Sequence, residues 1–197
     1  MHARLRELQS ALTRVDSDRV EQWGRYLGSV LPTGRTLFAC GNGGSAAEAQ
    51  HLAAELTGRF QGERQPLSAI ALHAETSSVT AIANDYGYRE VYARQLRAHA
   101  RTGDVLICLS TSGASENVVA AAMAARDLGV LTWALTGEGP NALLAACDDA
   151  VRVPCCDAAT VQEVHLSLIH LLCHTIDATC ADTATTAARR IHEEATA

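Results

Sequence analysis

Two groups of side chains in this 197-residue chain have types and spacings that can do chemistry. The first is Ser110-Thr111-Ser112-Gly113-Ala114-Ser115, with four hydroxyls in six residues, directly ahead of an Ala-rich segment that reads as a helix. The free N–H groups and macrodipole at a helix N-terminus favour an anion, and hydroxyls add uncharged donors that fit phosphate oxygens. An N-cap at Ser115 would use one hydroxyl, not four. The loop lacks the Gly-x-x-x-x-Gly-Lys-Ser/Thr spacing and has no lysine, so a phosphate monoester such as a sugar phosphate fits better than a nucleoside triphosphate.

The second group is His51 and Glu55, four residues apart and therefore on one face of a helix, with Glu48 read onto the same face. Ala49, Leu52, Ala53 and Leu56 form an apolar stripe on the other side. This pattern fits a solvated polar face, and equally two ligands of a zinc site that draws the rest from elsewhere, a neighbouring subunit included. A late segment offers Gln162, Glu163, His165, His170 and His174. Helical spacing pairs Glu163 with His170, or His170 with His174. Gln162 and His170 lie roughly 12 Å apart along a helix axis.

Gly41-Asn42-Gly43-Gly44-Ser45-Ala46 can be set onto a dinucleotide-binding fingerprint. That site also needs an acidic residue at the end of the next strand, and the run ending at Ala71-Leu72 holds none. A tight turn that requires glycine explains the loop equally well.

These loops need elements to position them. Residues 3–30 carry Leu5, Leu8, Leu12 and Val15 at helical spacing, giving one helix or two before Leu31-Pro32. Short apolar runs at 35–40, 67–72, 104–109, 130–135 and 150–153 read as strands. Helical segments alternate with them: Ser45 to about Gly58, two pieces in 76–100 broken at Asn84-Asp85-Tyr86-Gly87, Glu116–Leu128, Asn141–Ala146 and 160–182. The alternation predicts an α/β fold with a doubly wound, mainly parallel five-stranded sheet flanked by helices. Ligands of such sheets sit beyond the carboxyl ends of the strands, where both Gly/Ser loops fall.

Hydrophobic residues make up 48% and charged residues 19%, the balance of a packed globule rather than a disordered chain. The formal net charge of −6, with no basic run, is a poor footprint for nucleic acid or an anionic membrane. No run of ~18 uninterrupted apolar residues marks a membrane span, and the N-terminus has no signal-peptide core. Seven cysteines, an odd number without a Cys-x-x-Cys, read as reduced thiols in a cytoplasm.

CGNGGSAAEAQHLAAELTGRF, AIANDYGY, STSGASENV and VQEVHLSLIH together resemble the phosphoheptose isomerases of the sugar isomerase (SIS) fold, in order and register from about residue 30 to 180. The resemblance implies an N-terminal helical extension over 1–30, a SIS domain over 31–182 and a C-terminal tail over 183–197. It implies one zinc per subunit held by His51, Glu55, Gln162 and His170, in place of the Glu163 that helical spacing prefers. Glu55 matches the general base and His170 its acid/base partner. Ser110, Thr111, Ser112 and Ser115 match the phosphate cradle, and Asn42, Gly43, Gly44, Asn84 and Asp85 the sugar-lining positions. A homotetramer with active sites at subunit interfaces is implied as well. Two departures stand out: Ala159-Thr160 replace a frequent Asp-Arg pair, and Ala114 replaces a frequent Asn.

The implied reaction is ketose–aldose isomerisation of sedoheptulose 7-phosphate to D-glycero-D-manno-heptose 7-phosphate, which moves a proton between C1 and C2 through an enediol(ate). Val79–Asp85 and Glu90–Ala98 also resemble a non-catalytic relative that binds the bacterial replication initiator. Glu55, together with His51, Gln162 and His170, favours the enzyme. An isomerase of another sugar phosphate would use the same residues.

Overall fold

The computed structural model describes residues 2–196, and side chains throughout except at 184 and from 186 onward. Two helices open the chain, α1 (Ala3–Arg14) and α2 (Ser17–Val30), separated at Asp16, whose carboxylate caps α2 by accepting from Arg19 N. Five strands follow: β1 (Leu37–Cys40), β2 (Ala69–Ala71), β3 (Val105–Ser110), β4 (Leu131–Thr136) and β5 (Asp149–Arg152). The helices between them are α3 (Gly44–Thr57), α4 (Thr76–Tyr86), α5 (Ala93–His99), α6 (Glu116–Asp127) and α7 (Ala142–Ala146). The last helix, α8 (Ala158–Thr196), is 39 residues long and runs well past Asp182.

All five strands are parallel, in the order β2-β1-β3-β4-β5. Every residue of β3 is buried, which is why this strand reads as a continuous apolar run rather than an alternation. Successive side chains still go to opposite faces. Leu37, Ala39, Val105, Ile107, Leu109, Trp133 and Leu135 join a core with α2, α3 and α8. Phe38, Cys40, Leu106, Cys108 and Ala134 join a second core with α5, α6 and α7. Aliphatic and alanine side chains supply most of both layers, as the low aromatic content requires.

By length and composition, Ala158–Thr183 would suffice to cross a membrane. In this fold it is a core helix, with Val161, Val164, Leu168, Ile169, Leu172, Cys173 and Ile176 buried against the sheet and its neighbours. Close packing with α2 depends on two glycines. A Cβ at Gly24 would stand 2.6 Å from Thr175 Cβ, and one at Gly28 2.6 Å from Thr179 Cβ.

The N-terminal helices are tied to the sheet at one aromatic junction. Trp23 stacks on Trp133 with ring centroids 4.8 Å apart and planes 10° apart, and its indole N–H donates to Asp149 Oδ2 at 2.8 Å. Truncating a buried aromatic of this kind typically costs about 3–5 kcal/mol. Trp23→Ala is expected to lose an amount in that range in urea unfolding followed by circular dichroism.

Candidate active site

With β2 on one side of β1 and β3 on the other, the chain reverses its direction of winding between β1 and β3. The helices leaving these two strands, α3 and α6, pack on opposite faces of the sheet, so a crevice opens at their carboxyl ends. Both Gly/Ser loops line it. Gly43, the N-cap of α3, has φ +56°, a conformation that favours glycine. Gly44 lies so close to α8 that a Cβ there would meet Gln162 Nε2 at 2.5 Å.

In the second loop Ser110 Oγ lies 3.2 Å from Ser115 Oγ and accepts from Gly113 N at 3.1 Å. Ser112 Oγ accepts from Ala114 N at 3.2 Å. The Ser115 hydroxyl does not cap α6, because Asn117 takes Val118 N with its own side chain at 3.0 Å. The hydroxyl cluster is thus directed at the loop itself rather than spent on the helix end.

A polar network that sequence reasoning missed joins the two loops. Asn42 and Asn117 exchange amide hydrogen bonds, each 2.8 Å. The Tyr88 hydroxyl donates to Asn42 Oδ1 at 3.3 Å, and the Tyr92 hydroxyl donates to Gly41 O at 2.5 Å with Asn42 Oδ1 3.2 Å away. Asn84 and Asp85 are exposed at the end of α4 and bond to each other at 2.8 Å.

On α3 and α8, His51, Glu55 and His170 come together within one chain, each offering a ligand atom within 4.8 Å of the others. His51 Nε2 is 2.9 Å from His170 Nε2 and 3.4 Å from Glu55 Oε1. Two imidazole nitrogens and a carboxylate oxygen form a donor set suited to zinc, with a fourth position open, so the residues fit a divalent metal. The Gln162 amide, from the same face of the α3–α8 contact, lies close against Gly44.

The cluster is held from outside by residues that no spacing rule marks. Phe60 lies against the His170 ring, with centroids 5.5 Å apart. The Arg64 guanidinium, almost fully buried, bonds Asp177 Oδ1 at 2.7 Å and donates to the carbonyls of Glu55 and Leu56. Asp177 Oδ2 accepts from Gln61 N and Gly62 N, each at 3.3 Å, fixing the loop that carries Phe60. Residues 113 apart in sequence, on a loop and a helix, give no local signal.

Two expectations change, and one departure finds its place. Glu48 does not share the solvated face of His51 and Glu55: it is 9% exposed and faces buried His165 across 3.9 Å. Burial raises its pKa to about 7 and lowers that of His165 to about 4. Glu163 turns outward to Arg4 at 2.9 Å, and His174 is exposed, so neither spacing-preferred partner of His170 joins it. At the departure Ala159-Thr160, the Thr160 N–H and hydroxyl both donate to Asp157 Oδ2, at 2.8 and 2.9 Å, so Thr160 serves the cap of α8.

A doubly wound sheet of this strand order, with a hydroxyl loop at its crevice, defines a class, the SIS domain, and that family's profile matches residues 2–137. A phosphoheptose isomerase of Streptomyces coelicolor is 58% identical over 174 residues, 87% of this chain and 75% of that protein. The solved phosphoheptose isomerase of Francisella tularensis superposes with a TM-score of 0.82 at 35% identity, covering 88% of this chain and 92% of that one. The Neisseria gonorrhoeae structure gives 0.79 at 41%, covering 89% and 93%. The chain belongs to the phosphoheptose isomerase family, and it is an enzyme of the sugar-phosphate isomerase class.

The raised pKa of Glu48 has a stability consequence. A carboxyl that titrates at 4.5 when unfolded and at about 7 when folded favours the fold at low pH, and that support is lost as pH rises from 4.5 through 7. Glu48→Gln removes the titration. Its Tm relative to wild type is expected to be higher at pH 8 than at pH 5 by ~3 °C or more, the shift that about 1 kcal/mol gives a chain of this size. An equal difference at both pH values would place Glu48 at its ordinary pKa.

Proposed function

We propose that this enzyme interconverts sedoheptulose 7-phosphate and D-glycero-D-manno-heptose 7-phosphate. The observation that carries the reading is the convergence of His51, Glu55 and His170 in a fold whose Ser110–Ser115 hydroxyl loop follows the carboxyl end of β3. Ser110, Thr111, Ser112 and Ser115 grip the phosphate. Binding energy at that end holds C1 and C2 against the acid–base pair. Asn42, Gly43 and Gly44, with Asn84 and Asp85, line the sugar, and the Tyr88, Tyr92 and Asn117 bonds hold the Asn42 amide in one orientation.

The Glu55 carboxylate takes the C1 proton of the ketose and returns it to C2. The His170 imidazole gives a proton to O2 and receives one from O1, so the hydrogens balance and no redox cofactor is consumed. His51, Glu55 and His170 would hold a zinc ion, with Gln162 as a fourth ligand. When bound, that ion would polarise the carbonyl and stabilise the developing oxyanion.

A homotetramer with sites at subunit interfaces is part of the same reading. Supporting it, α4 has no buried side chain, and Tyr86 and Tyr88 are exposed beside the crevice. The division into residues 1–30, 31–182 and 183–197 is likewise proposed. A cytoplasmic setting is supported by seven unpaired cysteines, two of which, Cys40 and Cys108, lie 3.8 Å apart as thiols.

The direct test is incubation with sedoheptulose 7-phosphate, with and without a chelator, and detection of an aldoheptose phosphate. Turnover that needs no metal would remove zinc from the scheme, and turnover of only other sugar phosphates would reassign the substrate. Glu55→Gln is expected to keep the fold and lower kcat by at least ~100-fold, the low end of a general base's contribution. Ser112→Ala is expected to raise KM for the phosphorylated sugar several-fold with little change in kcat; an unchanged KM would take Ser112 out of the cradle.

A further inference from the structure

The contact between α3 and α8 is a series of polar rungs between two helices running the same way. Gln162 rests on Gly44, Glu48 faces His165, His51 and Glu55 meet His170, and Arg64 ties the Glu55 carbonyl to Asp177. The proposed mechanism gives the second rung no task. Glu48 Oε2 and His165 Nδ1 are 3.9 Å apart, too far for a hydrogen bond, and neither atom has a hydrogen-bond partner. The His165 side chain is fully buried and that of Glu48 is 11% exposed. Among the described residues no third donor joins them to make a metal site.

A buried acid–imidazole pair is weak support for stability, since apolar side chains of similar volume would pack there as well or better. What such a pair supplies is register. Around it, Ala49, Leu52 and Leu56 of α3 share a core with Val161, Val164, Leu168, Ile169 and Leu172 of α8. Apolar attraction is non-directional and discriminates poorly between neighbouring helix positions. Slipping one helix by a single turn moves side chains about 5.4 Å, enough to separate the His51 and His170 nitrogens.

We propose that Glu48 and His165 are positioning residues that fix the register of α3 on α8, and so set His51 and Glu55 opposite His170. Out of register, the Glu48 acid would lose the imidazole, and the polar neighbour left to His165 would be the Thr136 backbone. The shifts already described, toward a neutral acid and a neutral imidazole, agree with two groups kept as close dipoles rather than as an ion pair.

This inference rests on the reading of His51, Glu55 and His170 as a metal site, so its test measures metal binding and stability apart from turnover. Wild type, Glu48→Met and Glu48→Gln are stripped of metal and titrated with zinc by calorimetry. Tm of each apo-protein, kcat and KM are then measured. Glu48→Met is expected to show a Tm at or above wild type, zinc affinity weaker by ~10–100-fold, lower kcat, and KM for the sugar phosphate within about twofold of wild type. Glu48→Gln, which keeps the size and a polar partner for the imidazole, is expected to recover most of the zinc affinity.

Wild-type zinc affinity in a stable Glu48→Met overturns this inference alone. Loss of affinity that merely follows a fall in Tm in both variants reduces the pair to packing and overturns it too. A wild type that binds no zinc overturns the metal reading, and this inference with it.

Discussion

The site depends on one helix lying correctly on another. α3 brings His51 and Glu55, α8 brings His170, and nothing within either helix makes these three meet. Their 2.9 Å approach is a product of packing: aliphatic side chains pressed between the helices, a glycine at position 44 that lets Gln162 come close, and a buried arginine clamp at the far end. Two imidazole nitrogens aimed at one point gain little from each other, so the rest of the fold must hold them there.

The division of labour follows the sheet. Because the strand order reverses between β1 and β3, α3, which carries His51 and Glu55, and α6, which follows the Ser110–Ser115 loop, form opposite walls of one crevice. Each wall is rooted in a different apolar layer. In the proposed reaction, phosphate binding and proton transfer would fall to different layers, while the paired amides of Asn42 and Asn117 join the two loops. In an isomerase that grips a substrate at one end and reacts at the other, such separation lets binding energy be used for alignment.

Much of this was legible in the sequence because it is local. Strands buried on both faces announce themselves as apolar runs, and hydroxyls crowded before a helix mark the loop that follows β3. The apolar stripe of α3 was readable for the same reason, and Ala49, Leu52, Ala53 and Leu56 are all buried. Glu48 misled because helical angle alone puts it near His51, whereas α8 covers that edge of the helix and takes the carboxyl inside. Spacing likewise favoured Glu163 beside His170, but α1 offers Arg4 as a stronger partner on the other side of α8. Phe60, Arg64, Asp177, Tyr88 and Asn117 were silent, since their roles exist only once distant segments have met.

Both tryptophans of the chain lie in a single face-to-face stack, one from α2 and one from β4, next to the edge strand of the sheet. Tryptophan emission of the molecule therefore reports a single junction, the docking of the first two helices. A spectral change on adding sugar phosphate would signal motion of that junction, not occupancy of the crevice, and a silent spectrum would leave binding undetected.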